Sequence, residues 1–173
     1  MKYDRKKGEP KPELSSSLED YLETIYHLQK ENRVARAKDI ADSLSVTRGT
    51  VTGSLKALAA KGLIEYEPYS FITLTEEGSS LAREVIHRHQ TLEEFFSKVL
   101  RLDRVKADTI ACQVEHEVDA ETIDRLVAFL GFLDECPRVR GSWLERFLKY
   151  CRHGVDKAAC KECVGEVAGN LEE

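Results

Sequence analysis

Three small groups of metal-capable side chains stand far apart in this chain. Within each group the spacing puts the members on one face of a helix. Asp20 and Glu23 sit at i, i+3; His89 and Glu93 at i, i+4; Cys112, Glu115 and His116 at i, i+3 and i+4. Carboxylate, imidazole and a single thiolate together suit a first-row divalent ion such as Mn(II), Fe(II), Co(II) or Zn(II). Each group also has an ordinary explanation. Acids in a helix's first turn complement its dipole, a His–Glu pair is common on a surface, and a free cysteine often fills a core. Spacing alone does not say whether the three groups converge. His27 and His87 read as surface residues.

Near the C-terminal end lie Cys136, Cys151, Cys160 and Cys163, the last two as a Cys-x-x-Cys pair. A tetrahedral thiolate site for Zn(II) fits four such residues. A redox dithiol at Cys160 and Cys163 and an iron–sulfur cluster are alternatives. In the plainest reading Cys136 and Cys151 are packing residues beside a helix carrying Trp143, Leu144, Phe147 and Leu148. The total of five cysteines is odd, which argues against a disulfide framework.

A third set points to nucleic acid. Between Arg36 and Gly62, Ala37, Ile40, Ala41 and Leu44 give one short helix an apolar face. Ser45 and Val46 break that pattern, and Thr47 caps a second helix whose buried positions are Val51, Leu55 and Leu58. Its other positions, Arg48, Gly49, Thr50, Thr52, Gly53 and Lys56, are small, hydroxylated or basic. Such a face admits close approach to base edges and phosphates. From residue 33 to 62 there are six basic residues against Asp39 and Asp42, inside a chain of net charge −5. A basic island in an acidic protein is what phosphate contact requires. Arg36, Thr47, Arg48, Gly49, Thr50, Thr52, Gly53 and Lys56 are therefore the candidate DNA contacts.

The elements around these residues follow from pattern. Ser16 with Glu19 reads as a capping box opening a helix with Leu18, Leu22, Ile25 and Leu28 inward. Leu63–Tyr66 and Phe71–Leu74, separated by Pro68, Tyr69 and Ser70, read as a hairpin. Helix-turn-helix plus hairpin is a winged helix. Thr75 opens a long helix running to about Leu100, a spine between two domains. Residues 105–133 read as two helices broken at Asp119. The expected class is mainly α, with a winged helix-turn-helix and small β-hairpin wing, an α-helical dimerisation domain and a short cysteine-containing helical tail. The expected divisions are a flexible basic arm over 1–14, the DNA-binding domain over 15–78, the metal-binding and dimerisation domain over 79–135 and the tail over 136–173.

In order and at compatible spacing, Glu19-Asp20-Tyr21-Leu22-Glu23-Thr24-Ile25-Tyr26, the winged helix, Arg88-His89 and Cys112-x-x-Glu115-His116 together resemble the metal-dependent repressors of the diphtheria toxin repressor and manganese transport regulator family. The resemblance runs from about Leu14 to Leu133. It implies a winged helix followed by a helical domain that forms a two-fold dimer, with metal held between them. It matches Asp20, Glu23, His89, Glu115 and His116 to ligands of the manganese-type site. Cys112 matches the cysteine of the iron type, where the manganese type usually has a carboxylate. Conversely, the iron type carries methionine where this chain has Asp20. Glu93 matches an ancillary ligand of the iron type. The site implied is a hybrid, for Fe(II) or Mn(II): Asp20 favours a harder ion and Cys112 a softer one.

The function expected is a metal-dependent transcriptional repressor of metal-ion uptake, acting as a homodimer on a double-stranded DNA operator. A redox-responsive winged-helix regulator using the tail cysteines is the alternative, and a metal-dependent hydrolase a more distant one. The sequence has no nucleophile motif, Gly-rich phosphate loop or His-Glu-x-x-His pair, so it is not read as an enzyme, and no small organic substrate is expected. No apolar run approaches the roughly 20 residues of a membrane span and no signal segment opens the chain, so a cytoplasmic protein without membrane contact is expected.

Overall fold

The computed structural model describes residues 14–67, 70–136 and 142–154. The apolar stripe of the first helix becomes α1 (Ser16–Asn32), which buries Tyr21, Leu22 and Ile25. Ser15, not Ser16, occupies its cap position, and no side chain caps it. The expected capping box is not made: with Ser15 at the cap the residue three positions on is Leu18, and Glu19 bonds partners on other elements.

α2 (Ala37–Leu44) and α3 (Arg48–Ala60) form the helix-turn-helix. Ser45 turns the chain with φ 54°, and its N–H donates to the carbonyls of Ala41 and Asp42. Thr47 then caps α3, accepting from the Thr50 N–H at 3.3 Å. The wing is smaller than its two apolar runs suggested. β1 (Ile64–Glu65) and β2 (Thr73–Leu74) pair antiparallel, Ile64 opposite Leu74. Phe71 stays outside the ladder, while Ile72 makes an isolated bridge to Ala35. Thus the wing is tied to the segment before α2 as well as to itself. The expected turn residues Pro68 and Tyr69 lie outside the described residues.

α4 (Glu76–Glu94) starts under the cap of Thr75, whose hydroxyl also donates to the Gly62 carbonyl at 2.8 Å. Gly78 permits this junction: a Cβ there would lie 1.9 Å from the Leu63 carbonyl oxygen. The long helix does not continue to Leu100 as α-helix. It ends at Glu94 and passes into a π-helical turn over Phe95–Val99. α5 (Arg104–Val114) and α6 (Ala120–Glu135) follow, with the expected break between them capped by Asp119. α7 (Ser142–His153) lies in the tail.

Among the described residues the buried side chains form three clusters, and α4 contributes to two of them. Leu81 and Ala82 join the winged-helix core of Leu22, Ile25, Ile40, Val51, Leu55, Leu58 and Ile72. Leu92, one helical stretch later, packs with Ala111 and Ile123 in the second core. Val99, Leu130 and Leu133 extend that side.

Candidate metal centre and nucleic-acid interface

α1, α4 and the end of α5 bring their polar side chains to one place. α1 presents Glu19, Asp20 and Glu23 beside its buried Tyr21, Leu22 and Ile25. α4 presents Arg88 and His89 three to four residues before its buried Leu92. Glu115 is the C-cap of α5 and His116 sits in the turn after it, so these two are not on the helix of Cys112 but at its exit.

Glu115 is the centre of the group. Its side chain is 1% exposed and its Oε2 accepts from His89 Nδ1 at 2.7 Å. Its Oε1 makes no hydrogen bond, although His116 Nε2 lies 3.4 Å away. His116 Nε2 also faces Asp20 Oδ1 at 3.0 Å. Ligand atoms of Asp20, Glu115 and His116 all lie within 4.8 Å of one another. A buried carboxylate oxygen without a hydrogen bond is costly to leave so. Set between imidazole and a second carboxylate, it suits a divalent cation. The donor set fits such an ion, with oxygen and nitrogen ligands from α1 and from the exit of α5.

The electrostatics agree with a site awaiting positive charge. Burial pushes the Asp20 carboxyl up; nearby His116 lowers it, while Glu115 and Glu19 add to the rise. Glu23 is raised by burial and then by Glu115. It also faces His27 at 3.5 Å, so His27 is an exposed partner of the group's edge. The hydrogen bond to Glu115 holds His89 protonated up to about 9, against the opposing effect of burial. A cation would take the place of that proton. Partial burial, then Glu115, Asp20, Glu23 and Asp108, pushes the Cys112 thiol up; the cysteine is exposed and is not one of the Asp20, Glu115 and His116 group. Glu93 stands apart from the trio, with Oε1 3.5 Å from Arg104 Nε.

Three residues of the centre went unread as such in the sequence. Asp108 Oδ1 meets His89 Nε2 at 3.2 Å. Glu19 Oε2 accepts from His116 Nδ1 at 2.7 Å and also from Arg88 Nη2. Asp108 lies one turn before Cys112, a spacing that could have flagged it. Glu19 had no local signal beyond its place beside Asp20. In the tail, Cys136 and Cys151 are free thiols, Cys136 following α6 and Cys151 on α7. Cys160 and Cys163 lie outside the described residues.

α3 and the wing border a concavity of about 800 Å³ lined by Arg36, Lys38, Arg48, Thr52 and Lys56 together with Tyr66 and Phe71. The Arg36 guanidinium lies 5.2 Å from the centre of the Phe71 ring, a cation–π contact joining the start of α2 to the wing. Thr47, Arg48, Gly49, Thr50, Gly53 and Lys56 are exposed. The Thr52 hydroxyl is turned back onto the Arg48 carbonyl at 2.9 Å, so its polar group serves the helix.

Comparison with known proteins gives a concordant result. Residues 13–72 match the iron dependent repressor N-terminal DNA binding domain, and residues 75–144 match the iron dependent repressor metal binding and dimerisation domain. An uncharacterised HTH-type transcriptional regulator of Methanocaldococcus jannaschii is 39% identical over 118 residues, covering 68% of this chain and 94% of that protein. The HTH-type transcriptional regulator MntR of Bacillus subtilis is 32% identical over 119 residues, 69% of this chain and 83% of its own length. Among solved structures, a manganese-dependent transcriptional repressor in complex with manganese superposes with a TM-score of 0.62 at 29% identity, covering 66% of this chain and 53% of that one. T. acidophilum IdeR gives 0.60 at 28% identity over 65% of this chain and 53% of its own. The chain thus spans about half the length of these two solved structures.

Proposed function

Because the chain belongs to the diphtheria toxin repressor and manganese transport regulator family of metal-dependent repressors, we propose that it represses genes of metal-ion uptake in response to Fe(II) or Mn(II). It is a transcriptional regulator, not an enzyme, and its partners are operator DNA and a second copy of itself. No described helix is long and apolar enough to cross a membrane. Action in the cytoplasm, where such DNA is found, is part of the proposal.

The observation that carries the reading is the closeness of Asp20 to Glu115 and His116. Asp20 belongs to α1 and so to the winged-helix core; Glu115 and His116 belong to the helical domain. Bound there, a divalent ion supplies positive charge to a cluster of acids. Asp20, Glu115 and His116 would hold it, with Glu23, His89 and Cys112 around them. Without a cation, Asp20, Glu23 and Glu115 repel one another and favour separation of α1 from the end of α5. When their charge is balanced, one arrangement of the two domains is favoured over others. The resulting bias equals only the difference in affinity between arrangements. In a dimer, that arrangement fixes the separation of the two α3 helices, which must match about one turn of DNA.

The test is anaerobic fluorescence anisotropy with a promoter fragment from beside the protein's own gene, at fixed salt. Demetallated protein is titrated with Mn(II), Fe(II), Zn(II) or no metal. Tightening of roughly tenfold or more, about 1.4 kcal/mol of coupling, is expected with the activating ion. Equal binding with and without metal would refute metal activation.

A further inference from the structure

Resting on the metal-binding reading, we infer that Glu19, clamped by Arg88, is a positioning residue that fixes His116 in the tautomer whose Nε2 faces Asp20 and Glu115. Both ring nitrogens of His116 are engaged. Nδ1 lies 2.7 Å from Glu19 Oε2, and Nε2 lies 3.0 Å from Asp20 Oδ1 and 3.4 Å from Glu115 Oε1. A neutral imidazole carries one N–H, and an ionised carboxylate can only accept. Asp20 faces Nε2 in the same way, but Glu19 holds the shorter contact, 2.7 Å against 3.0 Å, which assigns the proton to Nδ1 and leaves the Nε2 lone pair for a cation beside Asp20 and Glu115.

Arg88 keeps Glu19 in that role. Its Nη2 donates to the same Oε2, so the carboxylate is held by a permanent cation. The three side chains are largely buried, with Glu19 18%, Arg88 22% and His116 10% exposed. Water competes little for these bonds. The relay also crosses the molecule: Glu19 is on α1, Arg88 on α4, and His116 follows α5, 97 positions from Glu19. Neighbouring Asp20 and Glu19 thus divide the work on one imidazole, one on each nitrogen. A carboxylate on the far nitrogen of a ligating histidine orients the ring and raises its basicity; loss of such a partner costs roughly 10–100-fold in metal affinity.

The experiment compares the full chain with Glu19→Ala, Glu19→Gln and Arg88→Ala, each first checked for native circular dichroism. Nitrogen-15 NMR of the metal-free protein, at a pH where the ring is neutral, reads the His116 tautomer directly. Co(II) titration, followed by its visible absorption, reads affinity. The wild type should show the Nδ1–H form. Glu19→Ala should lose that preference and bind Co(II) roughly 10–100-fold more weakly. Glu19→Gln, which retains an acceptor oxygen, should fall between, and Arg88→Ala should shift in the same direction. An Nε2–H tautomer in the wild type would overturn the inference whatever the metal does. So would Co(II) binding by both alanine variants within twofold of wild type. Failure of the wild type itself to bind Co(II), with the Nδ1–H form present, would instead strike the metal reading on which the inference rests.

Discussion

Lys56 is exposed on α3 beside the concavity that Arg48 and Arg36 also line. A lysine contacting phosphate contributes one released counterion to binding. Lys56→Ala should therefore lower the slope of log affinity against log salt by about 0.9 without changing sequence preference. On the proposed DNA-binding reading, Arg48, in the first turn of α3, faces base edges. Arg48→Ala should weaken operator binding by about 1–3 kcal/mol and relax preference at one base position. Anisotropy over a salt series with operator and scrambled fragments separates the two outcomes. At this scale the sequence was most readable where neighbours in space are neighbours in sequence. The basic and small positions of α3 are of that kind, and so is the Thr47 cap. Glu19 was not. Its spacing from Ser16 imitates a capping box, whereas its partners lie on α4 and after α5 and carry no trace in the local pattern. Asp108 differs: its place one turn before Cys112 was a local signal, although its contact to His89 is tertiary.

Among the elements, the junction between wing and α4 has the least room. The Thr75 hydroxyl bonds the Gly62 carbonyl while Gly78 lies against Leu63. Gly78→Ala would raise helix propensity yet force a Cβ into the Leu63 carbonyl oxygen, so the backbone must move. A net loss of about 1–3 kcal/mol is expected from such overpacking, read as a lower midpoint in urea with unchanged slope. A midpoint at or above wild type would show that the junction yields without cost. The element sequence itself, from α1 to α6 with a hairpin between α3 and α4, was legible because hydrophobic period and cap residues agree there. Two details were not. The strands are two residues each because Ile72 pairs with Ala35 and Phe71 turns toward Arg36. The π-helical turn at Phe95–Val99 leaves the apolar spacing of Leu92, Phe96 and Val99 intact, so period alone could not reveal it.

For the whole molecule, α4 sets the relation between reader and sensor. Its N-terminal half is part of one core through Leu81 and Ala82, and its later turns carry Arg88, His89 and Leu92. Among the described residues, α4 runs unbroken from one core to the other. Destabilising either core should therefore lower the stability of the other, and thermal unfolding should follow one transition by both circular dichroism and Tyr fluorescence. Two separated transitions would contradict this.

A continuous helix between two working parts also behaves like a keyed shaft, in which length is angle. Each residue added to an α-helix turns everything beyond it by about 100° and advances it about 1.5 Å. A single alanine inserted between Val85 and Arg88 would carry His89 to another side of α4 while α1 and Asp20 stayed in place. The DNA reader would remain intact and the sensor would be out of phase with it. Deletions and insertions in this stretch should thus be far less tolerated than substitutions, even at its exposed positions.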